Sequence, residues 1–399
     1  MSDKDFHIRW DASALALLRS RIRGFEWPYN AADSGWRYGC DPDFLRRFCI
    51  HWADSYDIEA GEGTLNRYPQ LLAEVAPGMR LHVVHVCGEA QGRRPLLLIH
   101  GWPGSVYQFW PLIDALAFPS RFGGAPMDAF DVVIPSLPGY GYSDKPAAPV
   151  GPRATAGWLA RLMRDALGYQ DYLVAGTDWG VVIAAWLALD HRKDVRGIHI
   201  DYPGAQPAAA PTTDAERAYL EAFEAAENRL GAYSRLHATR PQSLAFLAAG
   251  NPVAQAAWIL ERFHDWADLR GRAIDEVFSL DTLITNLMLT VMTDSFGSAT
   301  WMYAGAESEG ARRLPEGCRV PVPAGFASFP DPRHPRPPRS WVEKGYDVVH
   351  WREHDRGGHF ASMEVPDLVI ADLRDWAASL ANIHRKVDGI VDPENKAID

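Results

Sequence analysis

Cysteine is scarce: four residues in 399, Cys40, Cys49, Cys87 and Cys318, with no C-x-x-C pair. That excludes a disulfide-stapled scaffold, and free thiols in a reducing compartment are expected. Long apolar runs are missing too, and nothing approaches the ~20 residues of a membrane-spanning helix. The opening residues, M-S-D-K-D-F-H-I-R-W, carry no apolar secretory segment. The expectation is a cytoplasmic protein with no membrane partner. Positive charge is in deficit: 40 Lys and Arg against 51 Asp and Glu give a formal net charge of −11. Without a basic patch to offset phosphate repulsion, nucleic acid is not an expected partner. No nucleotide-binding glycine loop is present, so no cofactor is expected. Nor is a metal: His82 and His85 lie in a strand-like run, on opposite faces, and lack a third ligand.

What is present reads as an ordinary soluble globular protein, 47% hydrophobic and 23% charged. Residues 14–22 and 44–52 carry apolar side chains at helical spacing, so residues 1–80 are expected to form a helical N-terminal extension. Short apolar runs then follow at 81–86, 95–99, 130–134, 172–175 and 195–200, with helical segments at 155–167 and 181–189 between them. Apolar strands alternating with helices predict an α/β fold with a mostly parallel central sheet covered on both faces. The first core segment is 81–203. Residues 204–303 contain no clear strand and are helical and rich in aromatics, which predicts a lid inserted into the core. Strand character returns at 320–326 and 346–351, a helix is expected at 365–380, and 304–399 is the second core segment with a frayed tail after Arg385.

In an open parallel sheet, ligands sit beyond the carboxyl ends of the strands. Three loops qualify. The run at 95–99 ends in His100-Gly101-Trp102-Pro103-Gly104, the run at 172–175 in Gly176-Thr177-Asp178-Trp179-Gly180, and the run at 346–351 leads to Arg356-Gly357-Gly358-His359-Phe360. Taken singly each has a plain explanation. Asp178 could cap a helix, the glycines could serve a turn, and His359 is one of fourteen histidines. Their joint occurrence at strand ends points to chemistry. Gly176 and Gly180 flank Asp178 as the glycines of G-x-S-x-G flank the serine of a nucleophile elbow.

A carboxylate at the centre of such an elbow suits displacement at a saturated carbon, which leaves an alkyl ester of Asp178. Water must then attack the carboxyl carbon of that ester, and the resulting oxyanion needs donors. The backbone N–H groups of Trp179 and Trp102 are the candidates. His359 is the expected base for the water, oriented by an acid after the next-to-last strand. Asp331 in F-P-D-P is the first carboxylate there, with Glu343 a fallback farther along. Asp355 ranks lower because it lies only four residues before His359. Epoxides and haloalkanes are the substrates such chemistry fits.

H-G-W-P-G-S, G-T-D-W-G, F-A-S-F-P-D-P and R-G-G-H-F resemble the microsomal-type epoxide hydrolases of the α/β-hydrolase superfamily. G-W-R-Y-G-C-D-P-D-F-L followed by L-N-R-Y-P-Q resembles the N-terminal extension of that family. The resemblance covers most of the chain. It implies an α/β-hydrolase fold, an extension wrapped around core and lid, and two lid tyrosines that hydrogen-bond the epoxide oxygen. By position these are Tyr233, ahead of Thr239-Arg240-Pro241, and Tyr303, in Trp301-Met302-Tyr303. A phenol, with a pKa near 10, suits donation to a developing alkoxide. The pattern departs from the family at Asp57-Ile58-Glu59, read as structural, and at His237, where many members have glutamine; the latter implies altered contacts near Tyr233.

The expected activity is conversion of an epoxide to a vicinal diol, with haloalkane dehalogenation as the alternative use of the same nucleophile. A non-catalytic binding protein on this fold would lack nucleophile or base, and neither is missing. Lid aromatics (Phe223, Tyr233, Phe246, Trp258, Phe263, Trp266, Trp301) suggest an apolar or aromatic epoxide as partner. A homodimer is compatible with the sequence.

Overall fold

The computed structural model describes residues 5–90 and 94–389. Its centre is one eight-stranded sheet ordered β1-β2-β4-β3-β5-β6-β7-β8. The strands are β1 (Gln70–Ala76), β2 (Met79–Val86), β3 (Arg94–Ile99), β4 (Phe130–Pro135), β5 (Tyr172–Gly176), β6 (Val195–Ile200), β7 (Val320–Ser328) and β8 (Tyr346–Glu353). From β4 to β8 all neighbours are parallel, while β2 runs antiparallel to β1 and β4. Every residue of β4 is buried, as is Leu96–Ile99 of β3, because helices cover both faces of the parallel part.

One expectation is corrected at the start of the sheet. Residues 70–76, assigned to a helical extension, form β1 and pair with β2 from Gln70↔Val84 to Ala76↔Met79. The alternation of buried Ala73, exposed Glu74 and buried Val75 spans too few residues to stand out. Pairing with β2 rather than local propensity makes it a strand.

Three helices precede the sheet: α1 (Ala12–Arg23), α2 (Pro42–Asp54) and α3 (Ile58–Leu65). Asp41 caps α2 by accepting the Asp43 and Phe44 N–H groups, and Pro42 takes the first helical position, where no donor is lost. The apolar stripe of α2 then faces inward through Phe44, Phe48 and Trp52. Asp57 caps α3 by accepting the Ala60 N–H, which accounts for it structurally.

Among the core helices are α4 (Trp110–Ala117), α5 (Pro152–Arg161) and α6 (Trp179–Asp190). Residues 179–188 of α6 are all buried, as expected of a helix that is apolar on every side and held between sheet and neighbouring helices. Between β6 and β7 stand eight helices: α7 (Asp214–Leu230), α8 (Ala232–Thr239), α9 (Pro241–Ala248), α10 (Pro252–Trp266), α11 (Ile274–Val277), α12 (Leu280–Val291), α13 (Phe296–Ala299) and α14 (Trp301–Glu309). The last runs straight through the expected boundary at residue 303. The order closes with α15 (Arg339–Glu343), α16 (Ala361–Glu364) and α17 (Pro366–Gly389). Residues 386–389, expected to be frayed, are helical, and the rest of that tail lies outside the described residues.

The N-terminal helices touch both layers. Trp52 donates to Met288 Sδ at 3.4 Å, Tyr56 bonds Thr285 at 2.9 Å, and Trp36 stacks on His264 at 4.0 Å, all on α10 or α12. On the core side, Trp110 donates to the Thr64 carbonyl at 2.9 Å and Arg67 pairs with Asp114. Burying side chains the size of Trp52 or Phe48 contributes about 1.5–3 kcal/mol each. The four cysteines are unpaired. Among the described residues, no helix is long and apolar enough to cross a membrane.

Candidate active site

Asp178 sits between the end of β5 and the start of α6 with φ 52° and ψ −122°. A non-glycine residue pays about 1–3 kcal/mol for such a backbone, so the surroundings must impose it. They do so through tight packing. A Cβ on Gly176 would lie 2.7 Å from the Val181 nitrogen, and one on Gly180 would lie 2.7 Å from the Ile99 carbonyl carbon. The Gly180 N–H donates to Thr177 at 2.8 Å, and the Tyr202 hydroxyl donates to the Asp178 backbone carbonyl at 3.0 Å. The Asp178 side chain makes no helix-capping hydrogen bond, so the capping explanation does not apply.

The carboxylate is buried and faces the Trp102 N–H, the Trp179 N–H and His359. β3 and β5 are neighbours with Ile99 opposite Gly176, which brings the loop after β3 over the elbow. There the Trp102 N–H donates to Asp178 Oδ1 at 2.8 Å. The second oxygen lies 3.5 Å from His359 Nε2. Burial by itself would raise the Asp178 pKa. The hydrogen bond and charge of His359, the Trp179 N–H and the nearby His334 outweigh it and hold the carboxyl below its ordinary value.

His359 follows β8, with its backbone N–H bonded to the Trp266 carbonyl at 3.0 Å. Its Nδ1 is 2.9 Å from Asp331 Oδ2. Burial opposes the imidazolium, but Asp331 and Asp178 on its two sides raise its pKa well above the usual value. Asp331 is held far below the normal carboxylate range: burial raises it, and the charges and hydrogen bonds of His359 and His334 more than reverse that. The other carboxylates considered lie elsewhere. Glu343 pairs with Arg339 at 2.7 Å on α15, and Asp355 is exposed.

Both lid tyrosines meet Asp178 in one cavity of about 140 Å³. Tyr233 stacks on Trp102 at 5.2 Å, and Tyr303 packs edge-on against Trp179 at 4.8 Å. The Tyr303 hydroxyl is buried beside the Tyr233 hydroxyl. Burial, with Tyr233 and Asp178 nearby, keeps its pKa well above the ordinary phenol value. His237 packs behind them, edge-on to Trp102 at 4.6 Å and Tyr303 at 4.7 Å, and accepts the Trp258 indole N–H at 3.1 Å. Burial pushes its pKa down to about 3, so it is a neutral packing group.

Sequence reasoning missed four residues here. His334 Nδ1 donates to Asp331 Oδ2 at 2.9 Å, and its ring stacks on Tyr202 at 3.8 Å. Its only sequence signal is the three-residue spacing from Asp331. Tyr202, Arg312 and Arg333 line the same cavity, and only Tyr202, just past β6, had a position that pointed there. The lid aromatics also divide: Phe223 and Tyr233 line the cavity, Phe263 and Trp266 are buried in packing, and Phe246 is exposed. Arg312, Arg333 and Glu227 add charged groups to a cavity for which the lid aromatics had suggested an apolar lining. Asp331, His334 and His359 form the one group among the described residues close enough to share a metal. Both ring nitrogens nearest the carboxylate are already engaged with it at 2.9 Å, which suits hydrogen bonding.

Residues 3–109 match the family described as Epoxide hydrolase N terminus, and residues 94–246 match the alpha/beta hydrolase fold. A Stigmatella aurantiaca protein with a provisional epoxide hydrolase designation is 35% identical, over 93% of this chain and 83% of its own. Epoxide hydrolase 1 of Sus scrofa is 28% identical over 95% of this chain and 89% of its own. The Bombyx mori juvenile hormone epoxide hydrolase structure superposes with a TM-score of 0.82 at 26% identity, covering 96% of this chain and 95% of that one. The Aspergillus niger epoxide hydrolase structure gives 0.82 at 26%, covering 95% and 97%.

Proposed function

The chain belongs to the epoxide hydrolase family, and from that premise we propose that it opens its substrate through an ester on Asp178. The free carboxylate oxygen attacks a ring carbon, and the carbon–oxygen bond breaks as Tyr233 and Tyr303 donate to the leaving oxygen. That oxygen ends as a hydroxyl. Once esterified, Asp178 no longer stabilises the His359 imidazolium. The imidazolium proton is released to replace the one the phenol gave up, and His359 is left neutral.

Neutral His359 then takes a proton from water, and the hydroxide adds to the Asp178 carboxyl carbon. The oxyanion forms on the oxygen that already faces the Trp102 N–H, with Trp179 N–H beside it. Collapse expels the second product oxygen as an alkoxide, which takes the proton of the new Asp178 carboxyl group. The diol leaves, and carboxylate and imidazolium return to their starting states. Asp331 orients the ring through Nδ1 and supports its charge.

The observation that carries this reading is the shared cavity: a carboxylate under two backbone donors, facing two buried phenols that lie side by side. The substrate is an epoxide with an apolar or aromatic body. Phe223 supports this, together with an outer basin of about 920 Å³ lined by Leu220, Leu314 and Trp341. A cytoplasmic location agrees with the unpaired thiols.

His359→Gln tests the two-step course. It removes the base for the second step and leaves the first, so the ester accumulates. Intact-protein mass spectrometry after mixing with styrene oxide is expected to show an adduct of one substrate mass, located at Asp178 by peptide mapping. Unmodified protein, or an adduct at another residue, overturns the proposal.

A further inference from the structure

We propose that the epoxide carries a carboxylate next to the ring and that Arg312 holds it; this rests on the epoxide-hydrolase reading of the same cavity. Four formally charged side chains line that cavity: Asp178, Glu227, Arg312 and Arg333. Three are matched, since Asp178 faces His359 at 3.5 Å and Glu227 pairs with Arg333. Arg312 has no carboxylate partner among the described residues.

The position of Arg312 is fixed nonetheless. Its backbone carbonyl accepts the Gln206 N–H at 2.9 Å. Its guanidinium lies 4.7 Å from the Trp179 ring and 5.6 Å from the Tyr303 ring, and one amino group donates to Ser234 Oγ at 3.0 Å. A guanidinium on aromatic faces is pre-organised as a planar fork, and its remaining donors are free for a two-oxygen acceptor. A second observation points the same way. Arg333, 3% exposed, adds a second guanidinium to that wall, paired with Glu227 and lying against Tyr233. The cavity wall therefore holds one guanidinium, that of Arg312, beyond those its carboxylates match.

Placement sets the substrate class. Gln206, Phe223 and Arg312 line both the inner cavity and the outer basin, so Arg312 stands where the two meet. It also touches the ring of Trp179, the residue next to the nucleophile. A carboxylate bound there sits close to the reacting carbons, and an apolar tail extends into the basin. Without a cation at that point, the negative charge of Asp178 would repel such a substrate. The class is an α,β-epoxy carboxylate with an apolar or aromatic substituent.

The test compares trans-3-phenylglycidate with its primary amide, which matches it in shape but is neutral, and includes styrene oxide as a plain epoxide. The wild-type enzyme is expected to favour the acid by roughly 10- to 100-fold in kcat/KM, the scale of a charge-assisted bidentate contact. In Arg312→Gln the acid-to-amide ratio falls to about 1, mainly through KM for the acid, and Arg312→Lys keeps part of it. A wild-type ratio at or below 1, or a ratio that Arg312→Gln leaves unchanged, overturns the proposal. If styrene oxide is hydrolysed in that case, the epoxide-hydrolase reading stands. If none of the three epoxides is hydrolysed, that reading fails and this one with it.

Discussion

Gly101→Ala is a small change at the point where the loop after β3 crosses the elbow. A Cβ there would lie 2.5 Å from the Trp179 nitrogen, 2.5 Å from Asp178 Cβ, and closer still to Asp178 Oδ1. Ordinary carbon–oxygen contact begins at about 3.3 Å, so the loop or the carboxylate must retreat by about 1 Å. The retreat acts on the 2.8 Å bond from the Trp102 N–H to Oδ1. Loss of one oxyanion donor costs roughly 10²- to 10³-fold in turnover, or roughly 3–4 kcal/mol of barrier. The expected result is a kcat at least about 100-fold lower in the ester-hydrolysis step, while far-ultraviolet circular dichroism stays that of the wild type. Rapid-quench measurement of ester decay separates this step from ester formation. A folded variant whose ester decays within threefold of the wild-type rate would show that Trp102 is not an oxyanion donor.

Tyr303→Phe removes a buried hydroxyl that makes no well-aligned hydrogen bond and has Tyr233 as its polar neighbour, and it keeps the ring packing. Its melting temperature is expected to equal or exceed that of the wild type, while single-turnover ring opening slows by roughly 10²-fold; a destabilised variant with normal ring opening contradicts both statements. Asp178→Asn deletes one of the two anions that raise the His359 pKa, so the imidazole should titrate at lower pH by NMR, and an unchanged pKa would refute the proposed proton release. In the wild-type enzyme, ester decay should slow as pH falls, because His359 must be neutral to accept the water proton. Asp372 is fully buried against His199 at 2.6 Å and His350 at 2.9 Å, and their hydrogen bonds outweigh burial and depress its pKa. A depressed carboxylate stabilises the fold above its unfolded pKa near 3.9 and loses that contribution as pH falls through the folded value. Arg352 Nε also lies 3.4 Å from Asp372, so Asp372→Asn should cost about 3 kcal/mol in urea unfolding at pH 7, and a loss under about 1 kcal/mol would mean that the buried carboxylate is not what holds the cluster together.

The parallel part of the sheet could be read from the sequence because its strands are buried on both faces and so appear as unbroken apolar runs, as in Leu96–Ile99. The nucleophile elbow was legible for a steric reason: the chain cannot make that turn without Gly176 and Gly180, so the glycines mark it. β1 was not legible, because its alternation is short and its partner strand provides the stability. The aromatic content of the lid could not separate wall from filling, since Trp266 and Phe223 look alike until packing assigns one to each role. Arg312 and Arg333 could not be recognised, because their neighbours Ser234 and Glu227 lie 78 and 106 residues away in the chain. Sequence order likewise left Asp331, Glu343 and Asp355 open, and the distance to His359 is what distinguishes them.

Isotope labelling of a single turnover tests the ester on Asp178 most directly. Enzyme in excess over an epoxide in H₂¹⁸O should release a first diol with no heavy oxygen, because its new oxygen comes from the Asp178 carboxylate, and label should enter the diol only in later turnovers. Full ¹⁸O incorporation into that first diol would mean that water opens the ring itself, with no covalent intermediate.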